Sequence, residues 1–226
     1  RQWRAAWVDK MLADLDHETA QPAFEGRVHP LQLALDVQGA MGDGDWLVID
    51  GGNTHFWSEI AVNIAGFQGK KLGGILHPGT FSLLGVGVSF AVSAKNVDPN
   101  RNVVLISGDG AFLSGGLSIE AAFQENCPIV VVIDNNGGLD CISQQQERLF
   151  ASGTHYATDF RDIPFHAMFE GLGGHGELVT RREDIIPAVQ RAMASGKTAC
   201  VNVKVKGVIS PIVLATTSKR DKASIE

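Results

Sequence analysis

The chain of 226 residues has little that would anchor it in a membrane, bind it to nucleic acid or cross-link it. No apolar run approaches the roughly 20 residues that a spanning helix needs, and no signal-peptide pattern opens the sequence. The net charge is −6, and the lysines and arginines form no runs, which argues against nucleic-acid binding. Three cysteines lack the spacing of a zinc site or of a disulfide framework. We therefore expect a cytoplasmic protein with reduced thiols and no membrane or nucleic-acid partner.

What the sequence does contain indicates one doubly wound α/β domain, with a mostly parallel sheet and helices on both faces. Hydrophobic residues make up 44% of the chain, enough for a full core. Apolar, β-branched runs alternate with helical patterns, as expected for buried parallel strands. Strands are predicted at Trp46–Asp50, Leu72–Leu76, Asn102–Ser107, Pro128–Asp134, Glu177–Thr180 and Ala199–Val205. Helices are predicted at Pro30–Met41, Thr54–Ala65, Ser82–Asn96, Ser114–Glu125, Pro164–Leu172 and Glu183–Ser195.

The N-terminal residues form a separate pattern. Apolar side chains recur there every four residues, at Trp3, Trp7, Met11 and Leu15. Such a helical stripe either covers the domain's own sheet or belongs to a linker from a preceding domain. We favour the linker, and divide the chain into a linker helix at 1–27, a main domain at 28–213 and a C-terminal tail at 214–226.

Glycine-rich turns carrying oxygen ligands follow two neighbouring strands. Gly108-Asp109-Gly110 comes after one strand, and Asn135-Asn136-Gly137-Gly138 comes after the next. Both turns lie at the carboxyl edge of a parallel sheet, where ligands bind in this fold class. A carboxylate, an amide oxygen and a backbone carbonyl suit Mg²⁺ together with a phosphorylated ligand.

The same glycines let the backbone approach a diphosphate, and amides opening a helix near Ser114 would favour an anion. An ordinary explanation exists, because Asp-Gly and Asn-Gly are common turn dipeptides.

Taken together, the two turns resemble the two-part motif of thiamine-diphosphate-dependent enzymes. That family contains acetolactate synthase, pyruvate decarboxylase, oxalyl-CoA decarboxylase and 2-hydroxyacyl-CoA lyase. Asp109 and Asn136 stand on either side of one helix and one strand, as in the family motif. The segment Leu47–Asn53 resembles the family's diphosphate loop, and Leu84-Gly85-Val86-Gly87 resembles its Met-Gly-Phe-Gly segment. The order of elements matches over about 28–213.

The resemblance implies thiamine diphosphate and Mg²⁺ as cofactors. It implies metal ligands at Asp109 and Asn136, through their side chains, and at Gly138, through its carbonyl. Implied cofactor contacts are Gly52, Asn53, Thr54, Leu84, Gly108, Gly110, Ala111, Asn136, Gly138 and Leu139.

The candidate catalytic residues are Leu84, His77 and Cys141. Leu84 stands where the family places a bulky residue that holds the two cofactor rings in a V shape, although plain core packing would also explain it. Cys141 is expected to line the pocket or to serve in packing, and His77 to face the cleft. His55 is a weaker candidate for a position near the substrate.

The resemblance also implies a missing half of the site. In the family, a glutamate from a pyrimidine-binding domain contacts the cofactor, and no matching domain is found in this sequence. That domain would be an N-terminal part of the same polypeptide or a separate subunit, so we expect a homo- or hetero-oligomer.

Short matches point to a reaction class. Gly51-Gly52-Asn53-Thr54 resembles the Gly-Ala-Asn-Thr of oxalyl-CoA decarboxylase and 2-hydroxyacyl-CoA lyase. Gln144-Gln145-Gln146 is similar to the Gln-Trp-Gln of acetolactate synthase, with Gln145 in place of the pocket tryptophan. We expect a lyase or decarboxylase acting on an acyl-CoA or 2-oxo acid. The alternatives are an acetolactate-type carboligase and a cofactor-binding subunit without activity. A nicotinamide-binding module is disfavoured because no Gly-x-Gly-x-x-Gly follows the first strand.

Overall fold

The computed structural model describes residues 2–21, 24, 26–150 and 153–218. The strands are β1 (Trp46–Asp50), β2 (Gly74–Leu76), β3 (Val103–Gly108), β4 (Val130–Asn135), β5 (His175–Val179) and β6 (Ala199–Lys204). The helices are α1 (Gln2–Thr19), α2 (Pro30–Ala40), α3 (Asn53–Phe67), α4 (Gly87–Val97), α5 (Asp109–Gly115), α6 (Glu120–Gln124), α7 (Asp140–Leu149), α8 (Phe165–Gly171), α9 (Ile185–Ala194) and α10 (Pro211–Ser218). In the described part of the chain, no helix has both the length and the apolar character that crossing a membrane requires.

All six strands pair in parallel in one sheet, in the order β2-β1-β3-β4-β6-β5. Alternate side chains enter two separate cores, because successive residues of a strand point to opposite faces. Ile106 of β3 joins the core under α2, α3 and α9, whereas Leu105 joins the core under α4 and α8. The predicted doubly wound α/β fold is therefore confirmed.

The strand order places a switch point beside β1. From β1 the chain moves outward to β2 and then returns on the other side of β1 as β3. The connections after β1 and β3 thus diverge, and they leave a crevice beyond the carboxyl ends of these strands. The turns that follow β1, β3 and β4 all open toward this crevice.

Several predicted helix boundaries were wrong. The helix predicted from Ser82 begins at Gly87, because Ser82 and Gly85 have φ values of 49° and 90° and cannot be helical. The helix predicted at Ser114–Glu125 is instead α5, a 3₁₀ turn and α6. Ser114 therefore lies near the end of α5, and the amides that open this helix belong to residues 109–111.

Two helices, α7 and α10, were not predicted. Helix α7 buries Ser143 but leaves most of its polar side chains partly or fully exposed, and its few apolar residues are too sparse to form a long stripe. Its signal was intrinsic propensity instead, since glutamine, glutamate, arginine and leucine favour helices. Helix α10 spans the predicted boundary at residue 213. Residues 219–226 of the predicted tail lie outside the described residues.

Helix α1 forms as predicted, but its apolar stripe is only partly buried. Leu15 is 4% exposed, whereas Trp3 is 70% exposed and Trp7 41% exposed. A spacing of four residues overshoots the turn of 3.6 residues, so the stripe winds around the helix. Val8, and not Trp3 or Trp7, packs into the core from the buried side of α1. The assignment of this helix to a linker stays a prediction. Of the three free cysteines, Cys127 and Cys200 are buried.

His29 caps the N-terminus of α2 from a buried position. Its Nδ1 accepts a hydrogen bond from the backbone N–H of Leu31 at 3.0 Å. The proton of the neutral ring therefore lies on Nε2, which is buried without a hydrogen-bond partner among the described residues and lies 3.7 Å from the Glu18 carboxylate. Burial lowers the pKa of His29 to about 4. Protonation would place a proton on Nδ1 and remove the acceptor that caps the helix.

This cap predicts a loss of stability in acid. The folded-state pKa of His29 lies below its ordinary value of 6.5, so the unfolded chain takes up a proton that the folded chain refuses. The contribution of His29 is fully present above pH 6.5 and is lost as the pH falls to about 4. It amounts to at most about 3 kcal/mol. Urea unfolding at several pH values should show a flatter dependence for His29→Asn, which keeps a favoured cap residue. Parallel curves for the two proteins would contradict the assignment.

Candidate functional site

A cleft of about 590 Å³ opens at the carboxyl ends of β1, β3 and β4. It brings together residues from four chain segments that are distant in sequence. Every residue predicted to act in catalysis, cofactor binding or metal binding lines this cleft. These residues are Gly52, Asn53, Thr54, His77, Leu84, Gly108, Asp109, Gly110, Ala111, Asn136, Gly138, Leu139 and Cys141. Their shared location is a finding, and their individual roles stay predictions.

Asp109 ties the turn after β3 to the turn after β4. Its Oδ1 accepts from the backbone N–H of Gly110 at 2.6 Å. Its Oδ2 accepts from the N–H groups of Gly137 at 2.8 Å and Gly138 at 3.2 Å. The Asn136 side-chain oxygen accepts from the same Gly138 N–H at 3.1 Å. The Gly138 N–H thus donates to both side chains and holds the predicted metal-ligating oxygens of Asp109 and Asn136 side by side.

Two buried carboxyl groups, Asp109 and Asp134, and the half-buried carboxyl group of Asp140 lie at this edge of the sheet. Burial raises the pKa of Asp109 to about 6, against the opposing effect of its backbone hydrogen bonds. Burial, and then the charge of Asp109, raises the pKa of Asp140 to about 6. Burial also raises the pKa of Asp134 to about 7. A divalent cation would relieve this repulsion, because an opposite charge nearby favours the ionised form.

Asp134 was missed by the sequence analysis, which assigned it only to a strand. Its Oδ2 accepts from the Thr54 hydroxyl at 2.8 Å, whereas its Oδ1 is buried without a partner among the described residues. The pair joins β4 to the first turn of α3 directly beneath the cleft. The Thr54 hydroxyl thus donates its proton to Asp134. An anion bound in the cleft would accept from the backbone N–H of Thr54 instead.

Asn53 is likewise committed to protein partners. Its side-chain nitrogen donates to the Gln144 Oε1 at 2.8 Å, and its Oδ1 accepts from the Ser210 N–H at 3.2 Å. These bonds fasten α7 and the segment before α10 to the start of α3. The N–H groups in the first turn of a helix have no partner within that helix. The backbone of Asn53 and Thr54 is therefore the part that can receive an anion.

Two glycines of the cleft have close neighbours that exclude a side chain. A Cβ on Gly110 would lie 2.3 Å from the Leu139 Cδ2, and a Cβ on Gly138 would lie 2.6 Å from the Thr158 carbonyl oxygen. Gly138 also pairs with Asp159 in an isolated antiparallel bridge. The glycines predicted to let the backbone approach a diphosphate are thus required by the protein's own packing as well.

Leu84 lies on the cleft and not in the core. It is 37% exposed and belongs to the loop between β2 and α4. Asp50, at the end of β1, holds this loop through its Oδ2, which accepts from the N–H groups of Gly85 at 3.0 Å and Gly87 at 2.7 Å. One buried carboxylate therefore positions Leu84 above the switch point of the sheet.

Cys141 forms one wall of the cleft. Burial raises the pKa of its thiol, which keeps the sulfur protonated and argues against a nucleophilic role. Its backbone carbonyl accepts from the Gln145 amide at 2.8 Å. Gln145 is not among the residues that line the cleft, so its comparison with a pocket tryptophan gains no support from the structure.

His77 lies next to two residues on which the sequence analysis had placed little or no weight. Its ring meets that of His55 at a centroid distance of 5.1 Å. The His55 Nε2 is in turn 2.9 Å from the Glu59 Oε1, one turn further along α3. The sequence spacing of His55 and Glu59 could have revealed their contact, because residues four apart lie on one face of a helix.

Comparison with known proteins agrees with this site. Residues 50–203 match the family described as thiamine pyrophosphate enzyme, C-terminal TPP binding domain. Over 178 residues the chain is 34% identical to an acetolactate synthase large subunit of Mycobacterium tuberculosis, covering 78% of this chain and 31% of that protein. It is 27% identical over 213 residues to human 2-hydroxyacyl-CoA lyase 2, covering 89% of this chain and 32% of that protein.

A solved structure shares the fold. The thiamine-diphosphate-dependent 4-hydroxybenzoylformate decarboxylase of Rhodococcus jostii RHA1 superposes with a TM-score of 0.68 at 25% sequence identity. The match covers 82% of this chain and 34% of that chain. The chain thus spans about a third of the length of the relatives that it matches.

The hydrogen bonds of Asp50 predict a local effect of its removal. Asp50→Ala should speed amide hydrogen exchange at Gly85 and Gly87 by about tenfold or more, since bonds to a charged acceptor contribute about 1.5–3 kcal/mol. Exchange can be followed residue by residue by NMR. Asp43→Ala, which removes an exposed carboxylate, is the control. Unchanged protection of both glycines would show that Asp50 does not hold the loop.

Proposed function

The chain belongs to the thiamine pyrophosphate enzyme family through its C-terminal TPP binding domain, and we propose that it supplies the diphosphate- and metal-binding half of an active site. The observation that supports this most strongly is the pairing of Asp109 with the turn at Asn136 and Gly138, inside the matched segment. Thiamine diphosphate is the cofactor expected from the family.

Mg²⁺ fits the oxygen set at the ends of β3 and β4. It takes oxygen ligands and is usually held by one or two carboxylates together with phosphate oxygens. Asp109 would contribute the carboxylate, Asn136 an amide oxygen and Gly138 its carbonyl. The raised pKa of Asp109 supports the assignment, because burial outweighs its backbone hydrogen bonds and the charge of Lys204, which pairs with Asp162.

The diphosphate would lie against the helix starts beside this metal site. Backbone N–H groups open α3 and α5 at the edge of the crevice, and such groups favour anions, although that of Gly110 also donates to Asp109. We assign the contacts to Gly52, Asn53 and Thr54 on one side, and to Gly108, Gly110 and Ala111 on the other. For Asn53 and Thr54 the backbone makes the contact, since their side chains already bind protein partners.

When bound, thiamine diphosphate supplies a carbon nucleophile and stores the electrons released by bond cleavage. The protein's part is to position that group. Leu84, on its loop held by Asp50, would support the cofactor from below, and Leu139 would close the other side of the cleft. Cys141 would exclude water as an apolar wall. His77 is the titratable group that we assign to the reacting end of the cleft.

For the reaction, we propose cleavage or decarboxylation next to a carbonyl, of the 2-hydroxyacyl-CoA lyase type. The supporting observation is the Asn53-Thr54 pair after the first strand, together with coverage of 89% of the chain by human 2-hydroxyacyl-CoA lyase 2. An acetolactate-type carboligase is the second candidate, because the identity to such a protein reaches 34%.

The whole active site would need a second domain. Because the chain spans about a third of its relatives' length, the proposed partner is a pyrimidine-binding domain in the same polypeptide or in another subunit. It would contribute the glutamate that contacts the cofactor ring, so the complete enzyme would be a homo- or hetero-oligomer. The chain alone would then bind cofactor without turning over substrate.

Loss of the metal-ligating carboxylate tests the proposed site. Asp109→Asn should weaken the Mg²⁺-dependent binding of thiamine diphosphate by about 100-fold or more, which is about 2.7 kcal/mol. Asn136→Ala should weaken it less, because it removes a neutral ligand. Isothermal titration calorimetry on the chain gives the affinities. Asp14→Asn removes an exposed carboxylate on α1 and serves as the control. Binding by Asp109→Asn that equals the control would refute the metal assignment.

The reaction class is tested on the complete protein with both cofactors present. Cleavage of a 2-hydroxyacyl-CoA should be faster than the joining of two pyruvates. The acyl-CoA should also lose turnover when its thioester is truncated, since remote contacts help to position the reacting carbonyl. The isolated chain should show neither activity. Acetolactate formation that exceeds acyl-CoA cleavage would favour the second candidate, and no activity in the complete protein would favour a cofactor-binding role alone.

A further inference from the structure

Two imidazoles and a carboxylate meet in the cleft on elements that do not carry Asp109. His55 and Glu59 lie one turn apart on α3, and His77 lies in the connection after β2. One nitrogen or oxygen atom from each residue lies within 4.8 Å of the others. Within residues 2–21, 24, 26–150 and 153–218, no second group of three or more His, Cys, Asp or Glu side chains converges in this way.

We propose that His55, Glu59 and His77 bind a divalent transition-metal ion such as Zn²⁺, at a site separate from the oxygen ligands of Asp109 and Asn136. Two histidines and one carboxylate form a common three-ligand set for zinc, with a fourth position open. Imidazole ligands suit zinc, copper, cobalt and nickel, whereas Mg²⁺ prefers oxygen. The two sites therefore differ in ligand chemistry, and each selects its own ion.

The geometry fits with small side-chain movements. Bonds of about 2.0–2.1 Å in a tetrahedral zinc site place ligand atoms about 3.3 Å apart. The His55 Nε2 and Glu59 Oε1 are 2.9 Å apart, and the group as a whole spans up to 4.8 Å, so the required separation lies between these values. His55 is buried and fixed, whereas Glu59 is half-buried and His77 exposed, so the latter two can adjust.

The hydrogen bonds that these three side chains make can give way to metal coordination. His77 accepts at Nδ1 from the Gly79 N–H at 3.2 Å. A coordinated neutral imidazole carries its proton on the other nitrogen, so this bond must open whichever nitrogen binds the metal. It lies at the surface, where water can replace it. The His55–Glu59 bond is replaced in turn, because both atoms become ligands of the same ion.

The fourth coordination position of the proposed metal site is open to the cleft. All three residues line the cleft, so this position faces the space in which a bound molecule would lie. Water, or a carbonyl or carboxylate oxygen of that molecule, would complete the coordination. The site does not depend on the proposed reaction, because it uses none of the residues assigned to the diphosphate or to Mg²⁺. Of its three ligands, only His77 is also assigned to the reacting end of the cleft.

Co²⁺ absorption spectroscopy tests the proposal on the 226-residue chain. The protein is stripped with a chelator, dialysed and titrated with Co²⁺ in excess Mg²⁺, which fills the oxygen site. We expect one equivalent of Co²⁺ to bind with the visible bands of a four-coordinate site, and Zn²⁺ to abolish them. Absence of these bands in the wild-type chain would overturn the proposal.

Ligand variants identify the residues. His77→Gln and Glu59→Gln should each lower Co²⁺ affinity by about 100-fold or more, since loss of an outer partner alone costs about 10- to 100-fold. His77 is exposed and Glu59 half-exposed, so both variants should fold, as circular dichroism would confirm.

Two further variants serve as controls. His175→Gln removes an imidazole that also contacts a carboxylate, that of Glu177 at 2.7 Å, but that belongs to no group of three converging metal ligands among the described residues. It should leave Co²⁺ binding unchanged, as should Asp109→Asn. Retained binding in both His77→Gln and Glu59→Gln, or loss of binding in Asp109→Asn alone, would overturn the proposal.

Discussion

The burial of negative charge at the carboxyl end of the sheet is the constraint on which the rest of the site depends. Asp50 ends β1, Asp109 follows β3 and Asp134 is the last residue but one of β4, and each is almost fully buried. Burial of a carboxylate is costly unless hydrogen bonds or a cation offset it. For Asp50 and Asp109, backbone N–H groups of neighbouring turns offset part of this cost and thereby fix the turns, whereas Asp134 accepts from the Thr54 hydroxyl.

This compensation explains why the glycine-rich turns are not interchangeable linkers. Asp50 receives amides from the loop that carries Leu84, and Asp109 receives amides from the turn after β4. Each carboxylate thereby joins a strand end to a segment from another part of the chain. The cleft has its shape because hydrogen bonds to carboxyl groups near three strand ends hold these segments together, and a bound cation would strengthen the same arrangement.

The sequence predicted the sheet and the cleft well, but it predicted the side-chain contacts poorly. Strands such as β3 and β4 are apolar on both faces, so local composition alone identifies them. The carboxyl ends of parallel strands share one edge, so the sequence alone predicts that Asp109 lies near Asn136. By contrast, Thr54 binds Asp134 and Asn53 binds Gln144 across the fold. No local pattern reveals such pairs, and α7, which carries Gln144, lacks a long apolar stripe.

All strand pairings in this sheet are parallel, and this bears on how the chain folds. Each parallel pair joins strands separated by at least one long connection, so its formation requires the closure of a large loop. Such topologies fold slowly compared with helical bundles. The cleft cannot exist until β1, β3 and β4 have paired, so no partly folded form has a complete site. A cofactor that binds in the cleft would therefore stabilise only the finished domain, and its concentration in the cell would help to set how long that domain stays folded.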